Sequence, residues 1–111
     1  HPVMQGLEEF STWDETYVHD KIADDIDVLM ERIEGEYREP WTWVKHYGEG
    51  KVFYTAYGHD EHTWNNPGFQ QLIKQGVLWA VDDNAKTNWE AFSKDIPTLM
   101  YEDRDSIPNY A

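Results

Sequence analysis

The stretch from residue 41 to 57 constrains the fold of this chain more than any other. Trp41-Thr42-Trp43-Val44-Lys45-His46-Tyr47 and Lys51-Val52-Phe53-Tyr54-Thr55-Ala56-Tyr57 are dense in β-branched and aromatic residues, the types that fit a pleated, half-buried surface. Between them stands Gly48-Glu49-Gly50, a three-residue loop whose glycines tolerate positive φ. The pattern predicts a β-hairpin, with Pro40 setting the start of its first strand. A helix is predicted next. Asn66 is a good N-cap, and Pro67 suits the first helical position, where its missing N–H costs nothing. Phe69, Leu72, Ile73, Gly76 and Ala80 fall on one helical face, with Val77 and Trp79 beside it and Lys74 and Gln75 outward. A mid-helix glycine costs roughly 1 kcal/mol against alanine, so Gly76 points to close packing against a neighbour. Asp82-Asp83-Asn84 ends that helix, and residues 84–111 read as a short helix near Lys86–Ser93 followed by an extended tail with anchors at Ile96, Leu99 and Met100.

The N-terminal third is less decisive. Residues 1–12 mix Pro2, Gly6 and apolar positions (Val3, Met4, Leu7, Phe10) and read as a packed irregular segment. A short strand is predicted near Thr16–His19. Over residues 20–35, Ile22, Ile26, Leu29, Met30 and Ile33 follow helical spacing; the alternative is an Asp-rich loop leading into a buried strand, Val28–Arg32. At 111 residues the chain has room for one domain. It is 40% hydrophobic and 15% aromatic with six Trp, which excludes a disordered acidic tail. Nine Lys+Arg against 22 Asp+Glu leave a net charge of −13, which repels nucleic-acid phosphates and disfavours an anionic membrane surface. No apolar run approaches the ~20 residues of a bilayer span. Cys is absent, so a thiolate nucleophile and a disulfide staple are excluded. His1-Pro2 at the start suggests a processed chain or a piece of a longer one.

Chemistry concentrates at Gly58-His59-Asp60-Glu61-His62, between the second hairpin strand and the helix opening at Pro67. Open α/β sheets bind ligands beyond the C-terminal ends of strands. His59 is therefore a candidate acid/base or substrate ligand, with Asp60 orienting it or binding a hydroxyl. The competing reading is a loop whose polar residues cap the next helix. His59-x-x-His62, with Asp60 and Glu61, is compatible with a divalent metal such as zinc without requiring one, since the spacing matches no strong zinc signature. Asp14-Glu15 can direct one carboxylate to a pocket and one to solvent, and a Glu15–His59 pairing would fix the histidine tautomer. Trp41, Trp43, Tyr47, Tyr54, Tyr57 and Trp64 are either hairpin packing or a sugar-stacking platform, Trp64 being the best placed for the second role. Gly48-Glu49-Gly50-Lys51 joins two strands and opens no helix, so it lacks phosphate-loop geometry.

Val52-Phe53-Tyr54-Thr55-Ala56-Tyr57-Gly58-His59-Asp60, Thr63-Trp64, Pro67-Gly68-Phe69 and Gly76-Val77-Leu78-Trp79-Ala80 together resemble the ThuA-like (trehalose-utilisation) family. The likeness extends to Tyr47–Lys51, Asp14–Tyr17 and His1–Leu7. It implies a bacterial α/β protein, a portion of a flavodoxin-like, class I glutamine-amidotransferase-like three-layer sandwich with a β-hairpin followed by a helix. It makes Val28–Arg32 a strand, residues 1–83 the C-terminal part of such a domain, and 84–111 a short helix and linker. It places His59 where amidotransferase relatives carry their catalytic histidine, without their Cys nucleophile, so amidotransferase activity is not implied. The expected role is in carbohydrate metabolism, on a sugar or keto-sugar, with His59, Asp60 and Glu15 as catalytic candidates and Trp64, Tyr17, His19 and His62 as substrate-binding ones. The alternative is a non-catalytic sugar-binding or scaffolding module fused to a sugar dehydrogenase or cytochrome c protein. The expected partners are a small carbohydrate and either the missing N-terminal half-domain or that fused module, with a periplasmic or cell-surface location.

Overall fold

In a computed structural model, residues 1–93 are described; the predicted tail with Ile96, Leu99 and Met100 lies outside them. The hairpin is formed by β2 (Tyr37–Tyr47) and β3 (Gly50–Thr55). Gly50 pairs directly with Tyr47, so the turn is two residues long rather than three, with Gly48 at φ 58°. β1 (Asp27–Glu34) lies along the other edge of β2, giving an antiparallel sheet in the order β1-β2-β3. β2 begins at Tyr37, upstream of the predicted start at Pro40. Pro40 is tolerated inside it because the β1–β2 register shifts beside it, between Met30 and Glu31, and irregular positions spare the missing N–H.

The strand reading of Val28–Arg32 holds, although the strand is not buried as expected, since as an edge strand it has only intermediate and exposed residues; the helical spacing of the same residues has a cause. The β1–β2 register also shifts between Val28 and Met30, and the consecutive residues Leu29 and Met30 both pack against the core. A bulge thus mimics the adjacent apolar pair of a helix face. The strand predicted near Thr16–His19 does not form; that segment is extended and irregular. Its backbone groups go to side chains instead of a ladder: the His19 N–H donates to Glu39 at 2.8 Å, and the Tyr17 carbonyl accepts from Arg32 at 3.3 Å.

One helix covers the sheet. α2 (Pro67–Ala80) is capped by Asn66, whose side-chain oxygen accepts from the N–H groups of Gly68 and Phe69. Phe69 and Leu72 are fully buried with Val3 and Val44, so helix, central strand and N-terminal segment share one small core. Gly76 is where helix and sheet approach most closely. A Cβ there would lie 2.5 Å from the Phe53 ring, which is the close packing the sequence predicts. The first residues form a 3-10 turn (Pro2–Met4) that docks against α2, with Gln75 donating to the Val3 carbonyl and Gln71 to that of Gly6. A one-turn helix, α1 (Glu61–Trp64), precedes α2, and α3 (Asp83–Ser93) follows it. α3 starts three residues before the predicted Lys86, because Asp82 accepts the Ala85 N–H at 2.6 Å and so caps it. No described helix is long and apolar enough to cross a membrane.

Candidate functional site

Beyond β3 the chain turns at Gly58, whose φ of 117° is left to glycine for steric reasons. The loop that follows is held by a residue 44 positions earlier. One Asp14 carboxylate oxygen accepts the Gly58 N–H at 2.7 Å; the other accepts those of His59 at 3.1 Å and Asp60 at 3.0 Å. Burial pushes the Asp14 carboxyl upward, but the Gly58 amide, the Thr63 hydroxyl and the Glu15 and Asp60 amides outweigh it and hold its pKa below the ordinary 3.8. Three successive N–H groups around one carboxylate leave this loop little freedom.

The pinned loop presents His59 to Glu15. His59 Nδ1 lies 3.2 Å from Glu15 Oε2, which also accepts the Tyr17 hydroxyl at 2.8 Å. That hydrogen bond, together with slight burial and the Glu15 charge, raises the Tyr17 pKa. A carboxylate beside Nδ1 favours the proton on that nitrogen in neutral His59, which would leave Nε2 as an acceptor. Both side chains are largely exposed, 63% for His59 and 53% for Glu15.

A second cluster sits on the sheet face opposite α2. Glu39 is buried, at 3% exposure. It accepts the backbone N–H of His19 and the Tyr37 hydroxyl, and its Oε1 lies 2.6 Å from His19 Nδ1. The Tyr37 hydroxyl, then the His19 amide and ring, lower the Glu39 pKa to about 2. His19 Nε2 in turn lies 2.7 Å from the Tyr54 hydroxyl. Tyr54 and His59 both line an open hollow of about 330 Å³, with Tyr17, Thr55, Ala56, Tyr57 and Gly58. Three larger clefts are present: one of about 390 Å³ around His1, Pro2, Met4 and Gln5, and two of about 540 and 630 Å³ at the α2–α3 junction. The titratable groups of the two at the α2–α3 junction are lysines and carboxylates, with neither histidine nor tyrosine among them.

The model of the family ThuA, trehalose utilisation, matches residues 1–80. The chain belongs to the ThuA family. No curated protein and no solved structure matches it. The span matched to ThuA contains the whole loop, both carboxylate clusters and the hollow, and it ties the chain to carbohydrate metabolism.

Of the residues singled out in the sequence, this ThuA chain brings Glu15, Tyr17 and His59 together. Asp60 does not orient His59. It caps α1 by accepting the His62 N–H at 2.8 Å, and its Oδ1 lies 2.5 Å from His62 Nδ1. The His62 amide and ring, in that order, pull the Asp60 pKa down. His62 is thus occupied by Asp60, with its ring edge-on to Trp13 at 6.0 Å. Trp64 spends its indole N–H on the Gly58 carbonyl at 2.8 Å and packs edge-on against Phe69. It supports the loop from behind, while the hollow itself is walled by tyrosines. His19 sits apart from His59, in the Glu39 cluster. Among the described residues, no three His, Asp or Glu side chains converge to hold a metal ion; His59 turns to Glu15, and His62 to Asp60. Sequence reasoning passed over Asp14 as a loop anchor, and over Glu39 and the Tyr54 hydroxyl. The one available signal for Glu39 was an acid inside a strand of aromatics, Tyr37–Trp43.

Proposed function

We propose that this ThuA chain binds a sugar or keto-sugar in the hollow at the end of β3, with His59 as acid/base or hydroxyl ligand and Glu15 as the carboxylate that orients it. One observation carries the reading: the Asp14-pinned loop sets a histidine, with a carboxylate 3.2 Å from its Nδ1, at the rim of a hollow lined by Tyr17, Tyr54 and Tyr57. Aromatic faces stack on the apolar faces of sugar rings, and hydroxyls and an imidazole supply directional hydrogen bonds. The hollow lies at the low end of the ~300–1,000 Å³ usual for small-ligand sites, which suits one sugar ring. Both outer strands of the sheet keep an unpaired edge among the described residues. That supports our further reading of this unit as a share of a flavodoxin-like sandwich.

A second reading, a binding module without chemistry, is favoured by the exposure of His59 and Glu15, since acid–base groups open to water lose much of their electrostatic leverage. Titration of the ¹⁵N-labelled protein with trehalose and with a 3-keto-glucoside tests the site. Amide shifts at Thr55–His59 and Tyr17 are expected. Their absence, or shifts gathered at the α2–α3 junction, would overturn it. If His59→Ala abolishes turnover and leaves affinity intact, His59 is an acid/base; if no turnover is found with the intact protein, the binding module stands.

A further inference from the structure

A line of three side chains runs from the buried Glu39, on the sheet face opposite α2, to a residue that lines the hollow. Its inner end is Glu39, whose two carboxylate oxygens are occupied by the His19 amide, the His19 ring and the Tyr37 hydroxyl. A carboxylate so surrounded stays ionised, so in neutral His19 the proton sits on Nδ1 and the lone pair on Nε2. Among the described residues, the hydrogen-bond partner placed at Nε2 is the Tyr54 hydroxyl, 2.7 Å away, and Tyr54 therefore donates to it. Trp43 stacks on the Tyr54 ring at 4.7 Å between centroids and 18° between planes, while the His19 ring meets Tyr54 edge-on. These contacts hold the phenol and the imidazole in register. The order carboxylate, imidazole, hydroxyl is that of the Ser-His-Asp relay, with a phenol in place of the serine. The outer member of the line is also a lining residue of the hollow that His59 lines.

The geometry points to Tyr54 as the proton-exchanging hydroxyl of this site, with His19 and Glu39 as its positioning residues and a hydroxyl or carbonyl oxygen of the bound small molecule as the reacting group. The assignment rests on the reading that the hollow is the binding site. In the exchange, the Tyr54 Oη–H bond breaks and its proton passes to His19 Nε2. Oη then takes the proton of a substrate hydroxyl, whose oxygen keeps the electron pair of the broken O–H bond. The imidazolium so formed faces the Glu39 carboxylate, and the reverse sequence returns a proton to substrate.

The relay can be read without any sugar, by acetylating the intact protein with N-acetylimidazole and following each tyrosine by peptide mass spectrometry. The phenol oxygen forms the new C–O bond as the acyl C–N bond breaks. The phenol proton passes to His19, which releases it to solvent, and the departing imidazolide takes one proton from solvent, so that neutral His19 and neutral imidazole result. Tyr54 is expected to react faster than Tyr47, although Tyr47 is 77% exposed and Tyr54 is partly buried. His19→Asn and Glu39→Gln should each slow Tyr54 by at least about tenfold, the lower reach of general-base assistance, with Tyr47 unchanged as the internal control. Tyr54 no faster than Tyr47, or a Tyr54 rate indifferent to both substitutions, overturns the assignment. Should both variants unfold, nitrogen-15 NMR of wild-type His19 decides: the Nδ1–H tautomer is required, and Nε2–H refutes it. A failure of trehalose or keto-sugar to bind would leave these labelling results standing and would count against the sugar reading alone.

Discussion

Removing Asp14 should loosen the His59 loop while leaving the sheet and α2 in place. Asp14 receives four backbone N–H groups, from Glu15, Gly58, His59 and Asp60. Those of Glu15 and His59 are exposed, so water replaces the carboxylate at little cost. Those of Gly58 and Asp60 are partly buried. Hydrogen bonds to a charged group are worth roughly 1.5–3 kcal/mol each, so two of them, discounted for partial burial, set the loss in Asp14→Ala at about 2–4 kcal/mol. At 1.4 kcal/mol per tenfold, that is an opening equilibrium raised by about 30-fold or more. Native-state hydrogen exchange reads it directly at the Gly58 and Asp60 amides. Asn retains one acceptor oxygen, so Asp14→Asn should fall between wild type and Ala. The same carboxyl carries a pH signature. Its folded pKa is depressed below 3.8, so its stabilisation is fully present above that value and is lost as the pH falls through the depressed folded one. Asp14→Ala should therefore flatten the acid dependence of loop exchange. If Gly58 and Asp60 exchange within about threefold of wild type in the alanine variant, a difference of well under 1 kcal/mol, Asp14 does not hold the loop.

Gly76→Ala should destabilise, against the helix propensity that favours alanine. The new methyl would meet the Phe53 ring at 2.5 Å; overpacking of this kind costs ~1–3 kcal/mol against a propensity gain of about 1 kcal/mol, and a stabilised variant in urea denaturation would contradict the packing. Glu39, with its folded pKa lowered from 4.5 to about 2, contributes stability that is complete above about pH 4.5 and lost as the pH falls toward 2. Stability measured across that window should decline less steeply in Glu39→Gln than in wild type, and parallel declines would refute the assignment.

What could be read along the chain was whatever depends on neighbours in sequence. The hairpin followed from β-formers flanking glycine, and α2 from Asn66, Pro67 and a 3.6-residue apolar face. The resemblance to ThuA followed from a contiguous string. Even Gly76 betrayed the contact it makes, because a glycine there is unfavourable unless something sits against it. The bulge at Val28–Met30 shows the limit of periodicity. It moves two adjacent apolar residues onto one side and so counterfeits a helix; the resemblance to ThuA pointed to a strand, and the ladder across β2 shows why the spacing misled.

The site was legible only in its residue types. His59, Glu15 and Tyr17 could be nominated from composition and place, but Asp60 was assigned to His59 on proximity in sequence. In the fold it faces His62 and caps α1, since a residue just ahead of a helix is drawn to its free N–H groups. Asp14 and the loop it anchors are separated by more than 40 residues, and His19 and Tyr54 by 35. Nothing in local spacing encodes such pairs. By itself the sequence determined one acidic, aromatic-rich, cysteine-free unit of ThuA type, with its hairpin and its main helix, because strand and helix preferences and turn chemistry act over a few residues. Which carboxylate holds the His59 loop, and which histidine faces Tyr54, was decided by tertiary structure, because a hydrogen bond depends on distance in space and is indifferent to separation along the chain.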